Sequence, residues 1–214
     1  MAYGGIQFHV SGWSGSITIT EGIGSSTITP AATSSPWLVA QALVSAANAD
    51  LTSTYSWSVS DSGALTISST GTFDLSMSTT IQTIFDFASN SYVSVSSVTT
   101  DGEAVGGFFP YSDGDGVLFT RRVRAPINQG FELYEGGRWL NTPGTNPKFP
   151  VLSVSCLRSK VAKFMETIQN LGTPSKVDLY DSGSIVSCFL GTISINEQDV
   201  TTGWTRIGIE VIEL

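Results

Sequence analysis

No Lys or Arg occurs in residues 1 to 120, and all ten basic residues lie from Arg121 onward. Soluble sheet proteins commonly rely on cationic side chains, Lys above all, to stop exposed strand edges from pairing with neighbours. A first half without them must hide its edges, close its sheet, or use them for assembly. About a third of that half is Ser or Thr, and it carries nine acidic residues against none that are basic, whereas the second half carries nine acidic and ten basic. Charged residues make up 13% of the chain, about half the share usual in globular domains. Ile, Val, Phe and Trp alternating with polar residues replace the missing charge, which favours order over disorder.

The alternation defines most of the elements. Ile6, Phe8 and Val10 alternate with Gln7, His9 and Ser11, and Ile17 and Ile19 follow the Ser11 to Gly15 turn, predicting a half-buried hairpin. Ser35 before Pro36 is a helix-start signature, with Trp37, Ala40, Val44 and Ala47 recurring at helical spacing as far as Asn48. Tyr55, Trp57 and Val59, then Leu65 and Ile67, then Phe73, Leu75 and Met77 read as a three-stranded meander. Ser78 caps a shorter helix with Ile81, Ile84 and Phe85 on one face, and Tyr92, Val93 and Val95 resume strand-like sequence.

Residues 102 to 116 are rich in Gly, Pro and Asp, which places a boundary between a Ser/Thr-rich β domain, 1–116, and a second β domain, 117–214. In the latter, Leu157, Val161, Phe164, Ile168 and Leu171 form the stripe of an amphipathic helix that Gly172 and Pro174 terminate. The expected fold class is mainly β with a few helices, a β-rich α+β protein of antiparallel sheets, sandwich or barrel, with that helix packed on the C-terminal sheet. Cys156 and Cys188 lie in apolar segments without CxxC spacing and read as buried thiols. The opening residues lack a basic segment followed by an apolar one, so no secretory signal is expected, and no apolar run approaches the length of a membrane span.

Chemistry is sparse. His9, the only histidine, falls on the polar side of its strand and reads as a surface residue without a specified carboxylate or nucleophile. Gly12-Trp13-Ser14-Gly15-Ser16 departs from the nucleophile-elbow pattern at Ser16. One His and two separated Cys do not make a zinc site, and Asp113 and Asp115 lack the later bidentate acid of a calcium loop. No phosphate-cradling GxxxxGK[ST] loop is present. The chain therefore reads as non-enzymatic, with no catalytic residue, cofactor or metal assigned. Arg121, Arg122 and Arg124 form the one basic cluster. With a net charge of −8 the chain lacks the positive footprint of a nucleic-acid binder, so salt bridges from this cluster to the acidic half of another subunit are the better reading. Trp13, Trp139 and Trp204 are the candidates for stacking on a sugar.

Residues 54–75, from Thr54-Tyr55-Ser56-Trp57 through Asp61-Ser62-Gly63 to Phe73-Asp74-Leu75, resemble a Ser/Thr-rich meander of tailed-bacteriophage virion proteins, flanked by a small-residue helix at 36–50 and a short Ile- and Phe-rich helix at 79–87. The second half, ending Ile209-Glu210-Val211-Ile212-Glu213-Leu214, is similar in outline to tail-tube and distal-tail families of the baseplate or tail tip. The resemblance implies a virion protein made in the host cytoplasm that forms a homo-oligomeric ring and meets other tail or neck proteins, around a lumen through which DNA passes without sequence-specific binding. An acidic lumen would repel phosphate and let DNA slide. The candidate interface residues are Arg121, Arg122, Arg124, Arg138, Trp139 and Asn141, with the C-terminal edge strand. A capsid decoration or cement protein and a carbohydrate- or host-receptor-binding module are the alternatives.

Overall fold

The structure, a computed structural model, describes residues 5–60, 62–107, 109–110, 117–124, 149–172, 174–181, 184–199 and 204–213. The first elements are β1 (Gly5–Phe8), β2 (Val10–Ser11), β3 (Ile17–Glu21), β4 (Gly24–Ile28), β5 (Thr33–Ser34) and α1 (Pro36–Asp50). Then come β6 (Tyr55–Val59), β7 (Ala64–Met77), α2 (Thr79–Phe85), β8 (Ser91–Glu103) and β9 (Phe109–Pro110). The remainder is β10 (Val117–Arg124), β11 (Phe149–Leu157), α3 (Arg158–Asn170), β12 (Lys176–Asp181), β13 (Ser184–Asp199) and β14 (Trp204–Glu213). The protein is thus a β-rich α+β fold whose described strand pairings are antiparallel, as the alternation predicts.

The capping residues act as their chemistry requires. The Ser35 hydroxyl accepts from the Leu38 N–H at 3.2 Å and the Ser78 hydroxyl from the Ile81 N–H at 3.3 Å, each satisfying a donor that the first helical turn leaves unpaired. The predicted face of α1 is buried at Trp37, Ala40, Val44 and Ala47, with Val39 and Leu43 added. It packs with Ile17, Ile19, Leu65, Ile67, Phe73 and Leu75 in one core. Full burial of a side chain such as Leu43 or Ile67 removes enough apolar surface from water to contribute about 1.5–3 kcal/mol.

A five-stranded sheet carries this core. Its order is β4-β3-β7-β6, with β8 along the other side of β7. The three strands expected from 55 to 77 are two: Leu65 and Phe73 belong to one 14-residue strand, β7, continuous through Gly71. Its length lets β6 pair with Leu65–Ser69 and β3 with Asp74–Met77, end to end, while β8 spans both stretches. Gly71 has no Cβ to collide with the Ser53 hydroxyl, which would lie 2.3 Å away, and so carries the strand past the turn after α1.

The second sheet has seven strands in the order β10-β11-β14-β13-β12-β1-β9. Its two ends approach each other, with residues of β9 and β10 within 8 Å between Cα atoms. The helix α3 covers one face, burying Phe164 and Ile168 against Ile6, Phe8, Val177, Leu179, Cys188 and Ile209. Val161 and Leu171 of the predicted stripe pack against this core, while Leu157 ends β11 instead of joining the helix. Gly172, at φ +67°, ends the helix in the left-handed region that favours glycine. Cys188 is a buried thiol, as expected; the side chain of Cys156 lies outside the described residues.

The hairpin expected between residues 6–11 and 17–20 does not form. β1 pairs instead with β12, Ile6 opposite Leu179 and Phe8 opposite Val177, and with β9 on its other side. Gly12 and Gly15, at φ +89° and +84°, carry the chain from one sheet to the other instead of reversing it within one. A strand from the start of the chain therefore lies inside the sheet built from its end.

Candidate functional site

The two sheets meet on the face of β1 and β12 opposite α3. Successive side chains of a strand point to opposite faces, so Ile6, Phe8, Val177 and Leu179 turn to α3 while Gln7, His9, Asp178 and Tyr180 turn to α1. The Gln7 side chain is buried, and its carbonyl oxygen accepts from the Trp37 N–H at 2.9 Å, satisfying another first-turn donor of α1. Tyr180 stands against both Trp37 and Trp57, with ring centroids 5.8 and 5.6 Å away.

Asp178 is the centre of this junction and is fully buried. Its Oδ2 accepts from the Ser35 hydroxyl, and its Oδ1 accepts from the Ser187 hydroxyl at 2.6 Å. His9 Nε2 lies 2.9 Å from the same Oδ1. That contact is close but not aligned, since neither ring nitrogen of His9 makes a hydrogen bond of acceptable geometry. The carboxylate also lies at the N-terminus of α1, where the helix dipole favours negative charge. Burying it without such partners would be strongly unfavourable.

His9 is therefore not the surface residue its alternation predicts: it is 7% exposed. The alternation predicts a half-buried strand, but both faces of β1 are covered. The arrangement does not activate a nucleophile. A serine nucleophile needs imidazole between hydroxyl and carboxylate, whereas here the carboxylate lies between Ser35 and His9. Sequence reasoning missed Asp178 and Ser35 as partners because 143 residues separate them.

Trp13, one of the three sugar-stacking candidates, is corrected as well. It is buried, its indole N–H donates to the Ser34 carbonyl at 3.0 Å, and its ring meets Phe85 edge-on at 5.5 Å. It has no face to offer a ligand. Arg138, Trp139, Asn141, Asp113 and Asp115 lie outside the described residues, as does the side chain of Trp204. Arg121, Arg122 and Arg124 lie together on β10, at one end of the seven-stranded order, paired with Leu152, Val151 and Phe149 of β11. The C-terminal strand β14 is not an edge: it runs between β11 and β13.

The edges of the cation-free sheet are treated unequally. At β6, the Asn48 side chain accepts from the Tyr55 N–H at 2.7 Å and donates to the Tyr55 carbonyl at 3.0 Å, standing where a neighbouring strand would be. At β4, the Ser26 hydroxyl donates to Asp50 of α1 at 2.8 Å. The hairpin of β3 and β4 is fixed to the turn after α1 by Glu21, whose carboxylate accepts from the Ser53 hydroxyl at 2.6 Å, the N–H groups of Ser53 and Thr52, and the Tyr55 hydroxyl. These bonds, led by those from Ser53, hold its carboxyl below the usual carboxylate range. Burial, with Glu21 beside it, pushes the Tyr55 phenol up.

Among the described residues β8 has no such cover along Val95 to Thr99, although near its C-terminal end the Asp101 N–H donates to the Asp86 carbonyl at 2.8 Å. Among the described residues it pairs with β7 alone, and Ser91 to Thr100 contains no charged side chain. Val93 and Ser94 bulge opposite Asp74, whose carboxylate accepts from the Ser94 N–H at 2.7 Å, leaving Val93 68% exposed. No group of side chains suited to a metal ion occurs among the described residues, and none of their helices is long and apolar enough to cross a membrane. Comparison with known proteins finds no matching family model, no matching curated protein and no matching solved structure.

Proposed function

We propose that this chain is a structural component of a tailed-phage virion, a ring-forming protein of the tail tip, baseplate or neck that acts through its surfaces and not through catalysis. The observation that carries the reading is the outer edge of β8, left unpaired by the described residues in a region without a single Lys or Arg. An exposed edge without cationic protection is a template for another chain, and within a ring each edge is occupied by the neighbouring subunit. The resemblance of residues 54–75 to virion proteins supports the same reading. The burial of Trp13 removes one of the aromatic platforms that a sugar-binding module would use.

An acidic first half suits a surface along which DNA moves, since like charge prevents counterion-releasing contacts with phosphate. Negative-stain imaging of the purified, concentrated chain tests the proposal. Closed rings with an open centre would support it. Unassembled particles of single-chain size, or open filaments alone, would count against it.

A further inference from the structure

We infer that the open stretch of β8 pairs with the same stretch of a second copy of this chain, antiparallel and about a two-fold axis at Val98; this rests on the assembly reading above. The stretch is closed at both ends. At one, the Ser94 N–H donates to Asp74 at 2.7 Å, and at the other the Asp101 N–H donates to the Asp86 carbonyl at 2.8 Å. Between them Ser96, Ser97 and Thr99 are exposed, and no side chain from Val95 to Thr100 carries charge. The other edges of the same sheet differ, since Asn48 stands against β6 and Asp50 is bonded to β4.

On the outer face of this sheet, hydroxyls paired across strands take the place of charge. Thr18 and Thr27 lie 2.8 Å apart between β3 and β4, Ser56 and Ser68 3.0 Å apart between β6 and β7, and Thr66 and Thr99 2.9 Å apart between β7 and β8. Ser68 also stands opposite Ser97. Two hydroxyl rows therefore reach the edge and stop at Ser97 and Thr99. A two-fold axis between antiparallel strands must set one residue opposite its own copy, because opposite residues share a face. With Val98 on the axis, Ser97 of each copy meets Thr99 of the other, Ser96 meets Thr100, and both rows run on across the contact. With Ser97 on the axis, Thr99 would instead face Val95. Cross-strand hydroxyl pairs stabilise antiparallel neighbours, and strand addition supplies main-chain hydrogen bonds that carry affinity.

One repulsion remains. Asp101 comes opposite Val95 of the second copy, beside the Asp74 that holds the Ser94 bulge there, and no cation lies in the first 120 residues to neutralise the two acids. Salt screens like charges at a surface, so this contact tightens as salt is added, whereas an acidic edge meeting a basic surface would loosen. A two-fold contact joins copies in pairs, a unit from which a ring of dihedral symmetry is built.

The test uses the full chain and two double variants of it, Ser97→Lys/Thr99→Lys and Ser97→Glu/Thr99→Lys. Thermal melts first establish that both are folded. Sedimentation velocity is then run over a range of protein concentrations at low and at high salt. The wild type is expected to pair, and to pair more tightly at high salt. Ser97→Lys/Thr99→Lys sets Lys opposite Lys at two positions and should raise the dissociation constant by about tenfold or more. Ser97→Glu/Thr99→Lys sets Glu opposite Lys at both and should pair at least as well as the wild type. If the wild type assembles and the Lys-Lys variant assembles equally, the β8 contact is overturned while assembly stands. If the Glu-Lys variant is weakened as much as the Lys-Lys variant, or if salt loosens the wild type, β8 meets a different surface and the self-pairing is overturned. A wild type that stays monomeric in both salts defeats the assembly reading, and this inference with it.

Discussion

The Ser35 hydroxyl, which caps α1, donates to the carboxylate of Asp178, 143 residues further along the chain. One side chain thus begins a helix and fastens it to the other sheet. The same hydroxyl oxygen accepts from the Leu38 N–H, so helix initiation and sheet docking share an atom.

Asp178→Ala removes an acceptor from two buried or half-buried hydroxyls and leaves His9 beside a void. Leaving those two hydroxyls without their acceptor costs about 2–6 kcal/mol together. Urea denaturation should show a loss in that range. Ser187→Ala, which removes only one donor, should lose about 1 kcal/mol.

Glu21 gives the acid limb of the stability curve a defined contributor. Its carboxyl is held below its ordinary value of 4.5 in the folded chain, so the unfolded chain takes up its proton first. The contribution is complete above the unfolded value and is lost as pH falls through the folded one. Glu21→Gln is expected to be less stable at neutral pH and to flatten the decline below about pH 4.5, as followed by thermal melts across pH.

Two glycines of one turn separate conformational strain from collision. Gly12 and Gly15 both have positive φ, but a Cβ on Gly12 meets nothing within 4 Å whereas one on Gly15 would lie 2.6 Å from the Ser78 Cβ. Gly12→Ala should cost about 1 kcal/mol from the backbone alone. Gly15→Ala adds a clash with the cap of α2 and should cost about 2–4 kcal/mol, as measured by chemical denaturation.

Ser94 is a non-glycine residue at φ +53° in the β8 bulge. Ser94→Gly relieves that conformation while keeping the N–H that Asp74 accepts, and the relief exceeds the added entropy of the unfolded chain by about 0.5 kcal/mol. A small rise in the denaturation midpoint is expected, and a fall would show that the Ser94 side chain itself holds the bulge.

Local signals were legible in the sequence where the physics is local. Ser35-Pro36 and Ser78 start helices because capping depends on neighbouring residues, and Phe164 and Ile168 face a core because their spacing follows the helical repeat. Alternation placed Gln7 and His9 on one side of β1, but could not say that α1 would cover that side as well. The continuity of β7 through Gly71 was hidden because glycine inside strand-like sequence resembles a turn. The junction at Asp178 was illegible for a stronger reason. It joins residues from β12, β13, the start of α1 and the end of β1, which only the completed fold brings together. The burial of Trp13 follows likewise from its contact with Phe85 across two elements.

The central claim is assembly, and light scattering coupled to gel filtration over a wide range of concentrations tests it most directly. A discrete multimer, or a monomer that converts to one discrete multimer as concentration rises, is the predicted result. A strict monomer at the highest attainable concentration would contradict it, and would mean that the β8 edge is already satisfied within a single chain.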